Sequence, residues 1–167
     1  TSSVAYDAEP RYPLSTGAVE HGFEPLVADV QRRAARVIAM DGPVAAPWED
    51  VVKPLAASLG AEAVDMRRHY ASWEEVRGRT RDSELPGDPV FARLCNRSLS
   101  DLVDELPSVS EGGVVVVYGP GSSLVPHDLL WYADVPKRVG LQAVRRGVSG
   151  NLGQPPGKAG SEQRLLF

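Results

Sequence analysis

The chain reads Gly113-Val114-Val115-Val116-Val117-Tyr118-Gly119-Pro120-Gly121-Ser122-Ser123 in its most strongly apolar region. A run that is apolar at every position buries both faces of a strand, and such strands are typical of the centre of a parallel sheet. The glycines that follow end the strand and begin a small polar turn, Gly119–Ser123. We therefore predict a central strand whose carboxyl end carries this turn.

Three further segments read as strands, and helical patterns separate them. Val37-Ile38-Ala39-Met40-Asp41-Gly42 is an apolar run that ends in a loop. Ala61–Met66 is a weaker strand that includes Asp65, and Asp128–Val135 is the last strand before a basic helix. Strands that alternate with helices predict an α/β fold with three layers and a mostly parallel sheet.

The helices are predicted from apolar residues spaced three and four apart. One helix occupies the region from Glu20 to Ala34, a second follows Trp48 to Leu59, and a third begins after Pro136. Pro54 leaves two alternatives for the second helix: it is kinked, or its regular part begins near Lys53. Between the second and third of these helices, two short helices are expected, one from Asp88-Pro89 through Leu94 and one capped by Ser98.

Three regions follow from this pattern. Residues 1–19 read as an irregular N-terminal arm, residues 20–147 as the α/β domain, and residues 148–167 as a Gly- and Pro-rich loop followed by the start of a strand. Arg164-Leu165-Leu166-Phe167 has the pattern of the first half of a strand. We therefore expect a C-terminal region beyond Phe167 in a longer protein.

Composition excludes several classes of protein. The 167 residues are 43% hydrophobic and 24% charged, which is enough for a core and excludes a disordered chain. The net charge of −4 argues against nucleic-acid binding, and no apolar run is long enough to span a membrane. A single cysteine allows no internal disulfide, and three scattered histidines have no metal-ligand spacing. We expect a cytoplasmic protein without a metal or cofactor in this segment.

Polar residues at three strand ends predict a binding crevice, because ligands of parallel sheets bind beyond the carboxyl ends of the strands. Gly119–Ser123 is either a nest of backbone N–H groups that binds an anion or a tight turn. Asp65 is either a former base or a helix cap. A set of basic residues either gathers over the crevice and holds a phosphorylated ligand or lies on solvated helix faces: Arg67, Arg68, Arg77, Arg79, Arg81, Lys137, Arg138, Arg145 and Arg146. The candidate ligand-binding residues are Gly42, Asp65, Gly119, Gly121, Ser122, Arg138 and Arg145.

The segment Val37–Pro43 and the helix after it resemble the opening of a uridine-kinase-like P-loop protein. Asp65 and the basic helix ending Arg145-Arg146-Gly147 are also similar to that family. The resemblance implies a nucleoside-kinase-like fold. The P-loop is degenerate, since the Gly-Lys-Ser/Thr positions counted from Gly42 hold Pro47, Trp48 and Glu49. These residues remove the lysine and the hydroxyl that phosphoryl transfer needs, so no catalytic residue is expected.

A second resemblance rests on Val117–Val125, Asp128–Asp134 and Lys137-Arg138, and on the early Tyr6-Asp7 and Tyr12-Pro13. These segments are similar to bacterial class I mannose-6-phosphate isomerase-like proteins, in which a kinase-like domain accompanies a cupin domain. The resemblance implies a parent protein that interconverts mannose 6-phosphate and fructose 6-phosphate. It also implies that zinc is bound by the cupin domain, outside this segment, and that the cupin domain is the partner within the same protein.

These observations give three functional hypotheses. The first is a non-catalytic accessory or ligand-sensing domain of such a parent, with a nucleotide or sugar phosphate as ligand. The second is a stand-alone binding or interaction module with the same degenerate fold. The third is a phosphotransferase whose phosphate site has been rebuilt at Gly119–Ser123.

Overall fold

The computed structural model describes residues 17–81, 85, 87, 95–155 and 157. Four β-strands alternate with four α-helices in this part of the chain, and short 3-10 helices occupy Met66–His69, Leu99–Leu102 and Ser122–Leu124. In chain order the elements are α1 (Glu24–Arg33), β1 (Val37–Asp41), α2 (Trp48–Leu59), β2 (Glu62–Asp65), α3 (Trp73–Arg79), β3 (Val115–Tyr118), β4 (Leu129–Tyr132) and α4 (Lys137–Arg145).

The strands form one sheet in the order β2-β3-β1-β4, and every neighbouring pair is parallel. β3 and β1 are central, and all four residues of β3 are buried. The predicted α/β fold with a parallel sheet is therefore confirmed, as is the central position of the valine-rich strand. The strand order of this sheet differs from the 3-2-1-4-5-6 and 2-1-3-4-5 orders of the common dinucleotide- and flavin-binding sheets.

Core side chains cover both faces of the sheet. Alternate residues of β1 and β3, such as Ile38 and Val116, pack with α1 and α2 on one face. Val115 and Val117 pack on the other face with Met66, Val76, Leu102 and Leu152. Strands covered on both sides need apolar residues at every position, which explains the unbroken valine run.

α2 begins at Trp48 and runs through Pro54 to Leu59. A helix that becomes regular only near Lys53 is therefore wrong. The other alternative is a helix kinked at Pro54, and α2 does include this proline. Pro54 lies on the exposed face of α2, while Trp48, Val52 and Leu55 are buried. Packing of this apolar face maintains the helix despite the missing N–H.

Local caps organise the segment between β2 and β3. Asp65 caps the 3-10 helix Met66–His69, and Ser72 forms a capping box with Glu75 at the start of α3. Ser98 caps the 3-10 helix Leu99–Leu102, as its position predicts, and here Asp101 completes the box. The short helix predicted from Asp88 through Leu94 lies outside the described residues.

The loop after α4 packs on the domain. Leu152 is 6% exposed within the core, and a Cβ on Gly153 would lie 2.3 Å from the carbonyl oxygen of Ala71, so only glycine fits there. Most of the predicted N-terminal arm, residues 1–16, and the predicted strand start Arg164–Phe167 lie outside the described residues. Among the described helices, none is both long and apolar enough to cross a membrane.

Candidate functional site

The connections that leave β1 and β3 depart to opposite faces of the sheet. α2 follows β1 and packs on one face, whereas Val125, just after the 3-10 helix that follows β3, packs on the other. Adjacent parallel strands with this divergence form a crevice at their carboxyl ends, where ligands of such sheets bind. The candidate site is therefore bounded by the loop after Asp41 and the turn Gly119–Ser123.

The loop after β1 is closed by Trp48. This indole is 1% exposed, and its Nε1–H donates to the carbonyl oxygen of Pro43 at 3.1 Å. A Cβ on Gly42 would lie 2.3 Å from the carbonyl oxygen of Ala133 and 3.1 Å from the Trp48 ring. Gly42 therefore allows β4 and Trp48 to approach the loop closely, and the loop encloses an aromatic ring.

The turn after β3 is occupied by the carboxylate of Asp41. Its Oδ1 accepts hydrogen bonds from the N–H groups of Gly42 at 2.7 Å and Gly121 at 3.0 Å, and its Oδ2 accepts one from Ser123 at 3.1 Å. The segment predicted to be either an anion-binding nest or a tight turn is thus a tight turn, with Ser122 N–H donating to the carbonyl oxygen of Gly119, and two of its N–H groups donate to an anion that belongs to the protein. Sequence reasoning missed this role of Asp41, although an acid at the end of the first strand was visible.

Close packing shapes the same turn. Gly121 has φ +79°, and a Cβ there would lie 2.6 Å from the hydroxyl of Tyr70, which donates to the carbonyl oxygen of Pro120 at 2.9 Å. Gly119 lies against the side chain of Arg67, which would be 3.3 Å from an added Cβ. Ser122 is fully buried, and within the described part of the chain its hydroxyl has no hydrogen-bond partner.

Asp65 is held in an ion pair with Arg67. The Arg67 Nε–H and Nη2–H groups donate to the two carboxylate oxygens at 2.8 Å each, and the Arg67 backbone N–H donates to Oδ1 at 3.0 Å. The guanidinium lies 5.7 Å from the ring centroid of Tyr118 and 3.4 Å from Oε1 of Glu49. The carboxylate therefore caps the 3-10 helix, as one of its two interpretations predicts, and also fixes an arginine.

The protonation states in this cluster follow from its contacts. Burial acts to lower the pKa of Arg67, but the hydrogen bonds and charge of Asp65 outweigh it, and the pKa is raised. The hydrogen bond from Lys53 lowers the pKa of Glu49, and burial raises the pKa of Tyr118. At neutral pH the cluster therefore holds the permanent cation of Arg67, the ionised carboxylate of Glu49 and the neutral phenol of Tyr118.

Two cavities at this edge share Arg67. The first, about 420 Å³, lies over the carboxyl end of β2 and is bordered by the loop 148–155. The second, about 400 Å³, lies between the start of α2 and the helix α4. Arg68 also lines the first cavity, and Arg146 lines the second. Both volumes are in the range of small-molecule sites.

The predicted arginines of the basic helix lie elsewhere. Arg138 and Arg145 are exposed on α4 and line neither of the two cavities, whereas their neighbour Arg146 does. Arg79 binds the carboxylate of Asp104 and the carbonyl oxygen of Asp101, away from the crevice. Of the arginines predicted to gather over the crevice, Arg67 is the one that the structure places at the centre of the candidate site, where it is bound to Asp65.

The histidines are separated in space as well as in sequence. The Nδ1 atom of His69 lies 3.1 Å from the carbonyl oxygen of Glu105, and that of His127 lies 2.7 Å from the carbonyl oxygen of Val125. Among the residues that the structure describes, no three His, Cys, Asp or Glu side chains converge as metal ligands would.

Comparison with known proteins places the chain in a family. No curated protein and no solved structure matches it significantly. A family model matches residues 22–164, a range that contains every strand and α-helix described above. The chain belongs to the family described as "Domain of unknown function (DUF8485)".

Proposed function

We propose that the chain is a non-catalytic, kinase-like accessory domain that senses a small ligand. The observation that carries the proposal is the buried indole of Trp48, which stands where a P-loop has its phosphate-binding lysine. The wider proposal is that the domain belongs to a protein resembling class I mannose-6-phosphate isomerases. A stand-alone binding module with the same fold is the alternative to that parent.

The kinase-like part of the proposal is supported by the path of the chain. β1 is a central strand that runs directly into a glycine-led loop and then into α2, which is the strand–loop–helix order of a P-loop. Glu49 follows Trp48 on the first turn of α2, where its lowered pKa keeps a negative charge. A carboxylate and an indole there repel and displace phosphate oxygens, so the same path argues against phosphoryl transfer.

The turn after β3 provides no open substitute for the P-loop. The N–H groups of Gly121 and Ser123 already donate to Asp41, so an added phosphate would have to displace a carboxylate from a site that it fills. This occupancy favours the non-catalytic hypothesis over a phosphotransferase rebuilt at Gly119–Ser123.

The sensing part of the proposal is supported by the two cavities that remain open beside the closed loop. Each has an arginine of its own, and both contain Arg67. A nucleotide or a sugar phosphate carries the negative charge that such a lining recognises. A ligand bound there would contact the loop 148–155 or α4, and could change how these segments pack.

A nucleotide titration tests the non-catalytic assignment. We expect no transfer of phosphate from millimolar ATP and Mg²⁺ to added nucleosides or sugars by the full chain, and no binding of ATP in the loop that Trp48 closes. Backbone amide NMR shifts provide the second readout. Magnesium-dependent shifts concentrated at residues 43–49 would overturn the assignment, because they would place a triphosphate in the loop that Trp48 closes.

The coding sequence tests the proposed parent. A cupin segment with clustered His and Glu residues downstream of Phe167 is the expected result, and the zinc of the isomerase would be bound by that segment. A stop codon close to Phe167 would contradict the linked isomerase and favour the stand-alone module.

A further inference from the structure

Arg67 is held in place before any ligand arrives. The carboxylate of Asp65 accepts two hydrogen bonds of 2.8 Å from the Arg67 side chain. The guanidinium carbon lies 5.7 Å from the ring centroid of Tyr118. Glu49 adds a third contact at 3.4 Å. An arginine fixed in this way loses little conformational freedom on binding, so its interaction with a ligand is strengthened.

The fixed arginine has hydrogen-bond donors to spare. A guanidinium has five N–H donors, and the fork on Asp65 uses the Nε and Nη2 atoms. Its hydrogen bonds to carboxylates within the described residues come from Nε and Nη2, and the hydroxyl of Tyr118 is a further polar neighbour. The side chain is 28% exposed and lines both cavities, so an anion that enters either one can approach it.

The charges of the two linings decide between the cavities. The first contains one carboxylate, Asp65, and two guanidinium groups, Arg67 and Arg68, so its formal charge is positive. The second contains Glu49 and Asp50 against Arg67 and Arg146, so its formal charge is zero. An anionic ligand is therefore favoured in the first cavity, over the carboxyl end of β2.

We propose that this first cavity binds a small phosphate monoester, with Arg67 and Arg68 contacting the phosphate. The proposal rests on the proposed function and names the ligand class and the site. One excess positive charge suits a group of one or two negative charges better than a triphosphate. The volume of about 420 Å³ accommodates a body the size of a sugar, and the polar residues Ser149 and Asn151 also line the cavity.

Calorimetry on the full chain tests the site with four probes: inorganic phosphate, a hexose 6-phosphate, the free hexose and ATP with Mg²⁺. We expect saturable binding of the hexose phosphate and none of the free hexose. Arg67→Lys keeps a charge but removes the fork, and it should weaken binding about tenfold, the cost of one charge-assisted hydrogen bond. Arg138→Gln, an exposed arginine that lines neither cavity, is the matched control and should leave the affinity unchanged.

Two safeguards keep the test decisive. If Arg67→Lys does not fold, Arg68→Gln replaces it, because the Arg68 side chain is 84% exposed and is dispensable for packing. Unchanged affinity in that variant, or the absence of phosphate-monoester binding at millimolar concentration, overturns the inference. NMR shifts should appear at Arg67 and residues 149–152, and shifts confined to Val139 and Gln142 would overturn it in favour of the second cavity.

The two proposals fail separately. Binding of ATP with Mg²⁺ at residues 43–49 contradicts the non-catalytic assignment, whatever the hexose phosphate does at Arg67. If none of the four probes binds, the phosphate-monoester site is contradicted, whereas the non-catalytic assignment that rests on Trp48 is unaffected.

Discussion

The turns after β1 and β3 lie side by side and both begin with glycine. An apolar side chain fills one of them, and a charged side chain fills the other. The first encloses the indole of Trp48, an apolar group that is 1% exposed. The second encloses the carboxylate of Asp41, which accepts hydrogen bonds from Gly121 and Ser123. One turn is filled by an aromatic ring, and the other is filled by a carboxylate of the protein.

The comparison shows that a glycine-rich turn at a strand end is an incomplete signal for a ligand. Glycine lets backbone N–H groups converge or lets neighbouring chains approach, and the surrounding side chains decide which of these occurs. The sites that stay open in this molecule lie beside the crevice, where Arg67 is held by Asp65.

The largest loss of stability is expected when the indole is removed from the first turn. Trp48→Ala removes a fully buried aromatic side chain and should lower the free energy of unfolding by roughly 3–5 kcal/mol. Urea denaturation followed by circular dichroism measures it. Trp48→Phe, which keeps a ring and loses the hydrogen bond to Pro43, should cost clearly less. A loss below about 1 kcal/mol for the alanine variant would mean that the loop is open and available to a ligand.

The next largest loss of stability is expected when the carboxylate of Asp41 is removed from the second turn. Asp41→Ala leaves the N–H groups of Gly42, Gly121 and Ser123 without their acceptor and should cost about 3 kcal/mol. Added sulfate should restore thermal stability in this variant more than in the unsubstituted protein, because it can replace the lost carboxylate. Asp41→Asn retains one acceptor oxygen and is the control. Equal sulfate effects in all three proteins would contradict the occupied-nest interpretation.

A smaller loss of stability is expected when a methyl group is added to the second turn and the carboxylate of Asp41 is retained. Gly121→Ala places a Cβ 2.6 Å from the Tyr70 hydroxyl at a φ of +79°, and it should cost about 1–2 kcal/mol. Tyr70→Phe removes the crowded oxygen, so the double variant should lose less than the sum of the two single losses. Strict additivity in denaturant unfolding would show that the backbone conformation alone carries the cost.

The smallest change in stability is expected for a carboxylate at the opposite end of the sheet. Asp128 accepts hydrogen bonds from the backbone N–H groups of Val37 and Arg36, and these lower its pKa. A group with a depressed folded-state pKa stabilises the protein above its unfolded pKa, and this contribution is lost as the pH falls through the folded value. The stability difference between the protein and Asp128→Asn should therefore be full above about pH 4 and shrink below it.

Denaturation midpoints of the two proteins, measured between neutral and acid pH, provide the check. A difference that stays constant on acidification would show that the Asp128 carboxylate acts through its shape. It would also weaken the comparison with Asp41, since both carboxylates accept hydrogen bonds from backbone N–H groups at the ends of strands.

Much of the architecture was predictable because its signals are local. The valine run, the helical spacing and the caps at Ser98 and Pro136 each depend on a few neighbouring residues. The candidate site was less predictable. Arg138 and Arg145 looked suitable by type, but they lie on the exposed face of α4, and which face is buried depends on packing against the loop at Ala45.

The sequence by itself determined the parallel α/β fold and the central valine strand, since each depends on patterns in contiguous residues. Only the tertiary structure decided which group fills each turn. Asp41 and Gly121 are 80 residues apart in the chain, and their contact exists because β1 and β3 pair in the sheet. Likewise, Arg67 became the centre of the site through Asp65, Tyr118 and Glu49, which three different elements bring together.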